Sequence, residues 1–266
     1  MSDTASTSAQ LKGLLHCLPS ISLTLLEQRA PLLKRTDCKY ITTPEVVEKT
    51  LSGLGEQFAA LEINGLRSFD YRSMYFDSVD LESFWSSLYQ HAGRFKVRTR
   101  EYVDSGKCML EIKTEGNRGQ TLKTRLAHAV DRRDRLGPAG IQFVDSTLQR
   151  CGLGERLVPT LATHYHRSTL FDGATLSRIT IDQHLEYSMP NQPRHALGPY
   201  VVIETKTIGM PTSYDRALWN LGIRPIAISK FATAMALEYP NLPGNRWNRV
   251  LRDYFEPEVN AQTLRR

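Results

Sequence analysis

From Gly93 to Tyr102 the chain reads GRFKVRTREY, a segment with a period of two. Arg94, Lys96, Arg98 and Arg100 fall on one parity, and Phe95, Val97 and Thr99 on the other. Residues i, i+2 and i+4 share a strand face, so the pattern predicts a strand with one cationic and one apolar face. Strand-like runs also cover 32–42, 67–78, 107–115, 121–130, 157–173, 175–188 and 200–208, with turn residues such as DSG and GNRGQ between neighbours. Helical patterns cover 11–28 (broken near Pro19), 43–54, 80–91, 140–153, 213–222 and 229–239. Thr43 and Pro44 open the second of these as cap and first-turn proline, and Asp80 is the expected cap of the third. Eight strands with interspersed helices predict an α+β fold on a closed or nearly closed antiparallel sheet, because closure removes exposed edges. The expected organisation is a polar leader and helix over 1–28, one domain over 29–240, and a tail over 241–266 that packs on it.

The cationic parity recurs on other strands. Lys39 shares a face with Arg35 and Asp37, Glu111 with Lys113 and Glu115, Lys123 with Arg125, Arg178 with Asp182, and Glu204 with Lys206. A charged strand face ordinarily meets water. The run VVIETKTI resists that reading, since it is apolar on both parities except at Glu204 and Lys206. One arrangement covers all these strands: a barrel with a charged interior. Unpaired charge is costly to bury, so such an interior requires water, acidic partners and a highly charged anion. Composition agrees. The net charge is +6, and the window from Arg94 to Arg125 holds nine Lys/Arg against four Asp/Glu, so the preference for anions has a location. Cys17, Cys38, Cys108 and Cys151 form no CxxC pair, which fits a reduced, cytoplasmic setting. No run of apolar residues is long enough for a membrane span.

The ordered set KRTDCKY (34–40), SMYFDSVDLESFW (73–85), RFKVRTREY (94–102), LEIKT (110–114), HYHR (164–167), RITID (178–182), VIETK (202–206) and SKF (229–231) resembles the vacuolar transporter chaperone (VTC) catalytic domain, within the triphosphate tunnel metalloenzyme superfamily. The resemblance implies an eight-stranded antiparallel β-barrel with flanking helices that binds triphosphate and a divalent metal. It implies phosphate-binding, catalytic cations at Lys39, Arg98, Arg100, Lys113, Lys123, Arg167, Arg178 and Lys230. Arg72, Arg94, Lys96, Arg125 and Lys206 are further expected substrate contacts. Glu204 is the implied ligand of Mn²⁺ or Mg²⁺, with Glu111 as the second. The wider superfamily carries Glu-x-Glu-x-Lys on an early strand, whereas Met109, Glu111 and Lys113 stand here, a departure shared with the chaperone branch.

The activity so implied is metal-dependent phosphoryl transfer, first of all synthesis of inorganic polyphosphate from ATP, with the product threading through the tunnel. Expected partners are ATP, inorganic phosphate or polyphosphate, but no nucleic acid; a membrane partner protein is compatible with the resemblance without being implied by it. The same cations suit triphosphate hydrolysis, or polyphosphate binding without turnover. Glu204 speaks against the last, because anion binding alone needs no metal ligand. No nucleic-acid module is evident, and the cations sit on strands behind apolar alternation. His164 and His166 share a strand face, but no third ligand has suitable spacing, so the pair reads as structural.

Overall fold

The computed structural model describes residues 11–31, 36–54, 57–115, 121–190, 192–239 and 241–255. The expected leader, Arg35, the turn at 116–120 and the tail beyond 255 lie outside these residues. The strands are β1 (Ser20–Ile21), β2 (Thr36–Thr42), β3 (Phe58–Leu61), β4 (Phe69–Ser78), β5 (Phe95–Tyr102), β6 (Lys107–Glu115), β7 (Thr121–His128), β8 (Leu157–Asp172), β9 (Ser177–Ser188), β10 (His195–Ala196) and β11 (Val201–Thr207). Eight of them form a path in the order β2-β11-β9-β8-β4-β5-β6-β7. Every pairing along it is antiparallel. These eight are the strands expected from the alternation. The short β1, β3 and β10 attach beside β3, β8 and β9. They were not legible, because two to four residues carry too little alternation to read.

The path bends into a barrel-like wall. Among the described residues no ladder joins β2 to β7, so the expected closure stops short at that seam. Lys39 lies on β2 and Lys123 on β7, the two strands that end the path.

The apolar faces of the strands point outward, under helices. Phe95 and Val97 of β5 and Leu110 and Ile112 of β6 form a buried cluster with Val144 of the helix Gly137–Leu148. Tyr40, Ile179, Ile181 and Ile203 pack with Val47 and Leu51 of the helix Pro44–Leu54 and with Tyr214 and Leu218 of Ser213–Asn220. This resolves the two-sided pattern of Gly93–Tyr102: its greasy parity is core, and Lys96, Arg98 and Arg100 face the inside of the wall. At one end the inner face itself turns apolar. Tyr75, Leu161, Tyr165 and Val202 pack there against Phe231, Ala232 and Met235 of the helix Lys230–Glu238, with Trp247, Val250 and Phe255 of the tail behind them. That end of the inner face is therefore apolar and packed against the helix.

Helix ends differ from expectation where tertiary groups replace local caps. The helix expected over 80–91 spans Glu82–Leu88 and takes no cap from Asp80; Leu81 stands at its N-cap with φ 56°. The buried Asp77 accepts from Ser83 N (2.8 Å) and Phe84 N (2.9 Å) instead. The helix expected over 140–153 spans Gly137–Leu148 and ends at Gln149, in the left-handed region. The first helical pattern divides: residues 11–17 are helical, then comes β1, then the helix Leu23–Arg29 capped by Ser22. Among the described residues no helix is long and apolar enough to cross a membrane.

Candidate active site

The inner wall encloses a cavity of about 190 Å³. Register decides which side chains reach it. On β5, Lys96, Arg98 and Arg100 line it, opposite Lys113, Glu111 and Met109 of β6. On β6 and β7, Glu111 and Lys113 face Arg125 and Lys123 across the ladder, and Lys113 and Lys123 line the cavity. Arg167 comes from β8, Lys39 from β2 and Lys206 from β11. Lys230 opens the helix that fills the far end. Of the cations expected here, Lys39, Lys96, Arg98, Arg100, Lys113, Lys123, Arg167, Lys206 and Lys230 are thus brought together.

Four expected cations stand elsewhere. Arg178 is the register partner of Lys206, but its guanidinium reaches the helix Leu23–Arg29 and donates to Leu26 O at 3.2 Å. Arg94 lies before β5, where it pairs with Glu115 and with the carbonyls of Gln90 and His91. Arg72 is even-numbered on β4, whereas Tyr75 of the same strand faces the cavity; it points to the opposite face, near Asp70 and with about half its side chain in solvent. Arg125 shares the parity of Lys123 but lies further along β7, half exposed and 3.3 Å from Glu111. A cation on the right strand is not a lining residue unless its parity and its position along the strand both fit.

The carboxylates divide into two kinds. Glu111 is almost fully buried beneath the array. Its Oε2 accepts from Arg98 Nε (2.9 Å) and Nη2 (2.7 Å), and its Oε1 takes Lys123 Nζ (2.5 Å) and Arg125 Nε (3.3 Å). Burial alone would raise its pKa, but Arg98, Arg100 and Lys123 outweigh it and hold the group well below the usual carboxylate range. Its lone pairs are committed to cations, so Glu111 orders the array and does not fit the expected role of metal ligand.

Asp182 is a second anchor, to which the sequence reading gave no role. It accepts from Arg167 Nε (2.6 Å) and Nη2 (2.7 Å) and from Lys230 Nζ (2.5 Å). Arg167 and Lys230 overcome its burial and hold its pKa low. The signal was present in RITID, where Asp182 shares the parity of Arg178.

Glu204 and Asp37 line the cavity together with Glu111, but from the strands at the other end of the path. They come from neighbouring strands, with Glu204 opposite Lys39 and Asp37 opposite Lys206. Glu204 Oε2 lies 2.6 Å from Lys206 Nζ. Lys206, Lys39 and Arg167 keep Glu204 ionised against the cost of burial. A hard divalent ion takes oxygen ligands and keeps several waters, so one or two carboxylates on one wall suit it. Glu204 meets that test, and Asp37 meets it in place of Glu111.

Tyrosines complete the wall, a feature to which the alternation gave no pointer. Arg98 Nη1 donates to Tyr75 Oη at 2.9 Å and Arg100 Nη2 to Tyr165 Oη at 2.7 Å. Tyr71 stacks on Tyr165 with ring centroids 5.5 Å apart. Arg167 lies over both rings, 5.5 and 5.3 Å from their centroids. Each arginine is therefore held in one rotamer by a ring or a hydroxyl before any anion arrives. Lys39 Nζ donates to Ile228 O (3.0 Å) and Lys96 Nζ to Ser229 Oγ (3.1 Å), tying the start of the last cavity-lining helix to the wall.

No curated protein matches this sequence. Among solved structures, the putative adenylyl cyclase HpAC1 from Hippeastrum is similar with a TM-score of 0.50 at 15% identity, over 80% of this chain and 100% of that one. A putative adenylate cyclase from Vibrio parahaemolyticus is similar with a TM-score of 0.42 at 10% identity, over 73% and 94%. The first likeness shows the fold, an antiparallel wall around a central cavity. The VTC domain matches residues 34–239, from the strand of Lys39 to the helix that begins at Lys230. With that match over more than half of its length, the chain belongs to the VTC-domain family.

Proposed function

We propose that the chain carries out metal-dependent phosphoryl transfer on a triphosphate bound in the cavity, and that the reaction is synthesis of inorganic polyphosphate from ATP. The observation that carries this reading is a lining of nine cations against three carboxylates. A triphosphate brings about four negative charges, which such an array neutralises at close range. Membership of the VTC-domain family supports the same substrate class.

Phosphoryl transfer asks the protein chiefly for position and charge neutralisation. Arg98, Arg100 and Arg167 each keep N–H groups beyond those bound to Glu111, Asp182 and the tyrosines, and these serve as forks for phosphate oxygens. Lys39, Lys96, Lys113 and Lys206 add point charges around them. When bound at Glu204 and Asp37, Mg²⁺ or Mn²⁺ supplies neutralisation of charge between phosphate groups. In the synthetic reaction the bond from the γ-phosphorus to the β–γ bridging oxygen breaks, ADP leaves, and a terminal oxygen of phosphate or polyphosphate forms the new P–O bond. The filled end of the cavity favours entry and exit by one mouth. Water as acceptor would make the same site a triphosphatase.

The test is incubation of the purified chain with ATP and Mn²⁺ or Mg²⁺, followed by gel analysis of chain length and assay of free phosphate. Polyphosphate that lengthens with time is the expected result. Free phosphate without chain growth replaces synthesis by hydrolysis. Neither product, with triphosphate still bound, leaves a binding module.

A further inference from the structure

We propose a second metal site on the opposite face of the sheet, with Asp70, His164 and His166 as ligands and Zn²⁺ as the ion that fits them best. Asp70 of β4 and His166 of β8 are register partners, and His164 lies two residues earlier on β8. One candidate ligand atom from each lies within 4.8 Å of the others. The intervening Tyr165 and the following Arg167 point the other way, into the cavity. The two sites therefore lie back to back across one strand, with separate ligand sets.

Three further observations point to an ion. His164 Nε2 faces Asp70 Oδ1 at 2.7 Å, while its Nδ1 faces Glu186 Oε2 of β9 at 3.3 Å. A carboxylate on one imidazole nitrogen fixes the ring and turns the other nitrogen to a metal, as outer partners of ligating histidines do. His166 Nδ1 is buried and has no hydrogen-bond partner among the described residues. Buried polar atoms are nearly always partnered, so this nitrogen marks a place where something is to be bound. The β8–β9 ladder also shifts register between His164 and His166, and His184 sits there at φ 50°. Bulges of this sort re-aim side chains beside sites.

Two imidazoles and one carboxylate suit Zn²⁺, Co²⁺ or Ni²⁺, whereas Mg²⁺ and Mn²⁺ favour an all-oxygen set like that of the cavity. Three protein ligands leave a fourth position for water, the arrangement of an open zinc site. His164 and Glu186 line a separate cavity of about 210 Å³ that provides an entry path. Arg72, 3.8 Å from Asp70, and Arg194, 3.2 Å from Glu186, balance the carboxylates while the ion is absent. Once bound, the ion would tie β4 to β8 behind Tyr165 and Arg167.

The experiment uses the full chain, free of any affinity tag and stripped with chelator. Co²⁺ is titrated and its visible absorption recorded; Zn²⁺ is then added as competitor, and melting is followed with and without Zn²⁺. The expected result is saturation at about one equivalent with bands of histidine–carboxylate ligation, displacement by Zn²⁺ but not by Mg²⁺, and a raised melting temperature. Asp70→Asn and His166→Gln should lose bands and shift together, while Glu204→Gln keeps them. Glu186→Gln retains the three ligands and should weaken Zn²⁺ binding about tenfold or more, which keeps the test decisive if a ligand variant does not fold. No saturable bands, bands that survive both ligand variants, or bands lost in Glu204→Gln would overturn the site.

Discussion

At Lys96 the cavity's charge is poorly compensated. Burial comes first, then crowding by Lys39, Lys113, Arg98 and Arg94, and together they hold its pKa well below the ordinary lysine range. A lysine depressed in the folded chain opposes folding while it is charged. Lys96→Met is therefore expected to raise the melting temperature of the empty protein and to weaken triphosphate binding, two effects of opposite benefit. Thermal melts with and without triphosphate read both at once; a variant with lower stability and unchanged binding would remove Lys96 from the site. Glu204 should behave in the contrary way. Glu204→Gln keeps the shape but removes the charge a hard cation needs. Turnover should be lost while triphosphate binding, followed by calorimetry without metal, is retained or tightened. Wild-type, metal-dependent turnover in that variant would take the metal away from Glu204.

At the scale of elements, the wall depends on carboxylates that serve the backbone or the cations and never touch substrate. Asp77 at the end of β4 accepts from the amides of Ser78, Ser83 and Phe84, and so starts the helix Glu82–Leu88 from a buried position. Asp77→Ala leaves those amides without their acceptor and is expected to cost about 2 kcal/mol or more, the upper range for a cap. Urea unfolding measures it, and a loss below about 0.5 kcal/mol would show that Asp80 or water can replace the cap. The same strand shows why the helix start was misread. Asp80 sits where a local cap belongs, but Asp77 lies at a buried strand end, where its oxygens meet the amides only after the chain has folded back.

For the whole molecule, the inverted arrangement sets the response to pH. Glu111, Asp182 and Glu204 are each buried, yet each is held well below the usual range by neighbouring cations. A carboxyl depressed in the folded state binds a proton more readily when unfolded. Its stabilising contribution is thus present above the unfolded value of about 4, and is lost as pH falls further. The protein is expected to lose stability steeply on acidification below about pH 5. Protonation would also leave the cations paired with that carboxylate less compensated. Denaturation midpoints between pH 7 and 3 check this; a flat profile would mean that the carboxylates are not paired as described.

Much of this was legible in one dimension. The eight main strands and their cationic parity follow from a period of two, which is a local property of the backbone, whereas Lys230, on a helix, and Arg167 came only with the resemblance. The VTC-domain family was recognisable from the order of its motifs. What the sequence could not decide was pairing between distant strands. Only the register of β6 between β5 and β7 places three cations on the oxygens of Glu111. Only the position of β2 beside β11 brings Asp37 to the wall of Glu204, and only β4 against β8 supplies His164 and His166 with Asp70 from 94 residues away. Arg178 was lost to a neighbouring helix on the same grounds, whereas Arg72 stands on the opposite face by its own parity on β4. Alternation determines which residues share a face of one strand, while the partners of each charge are set by long-range ladders, and in a buried array of like charges those partners decide which group binds, which group orders, and which stays out.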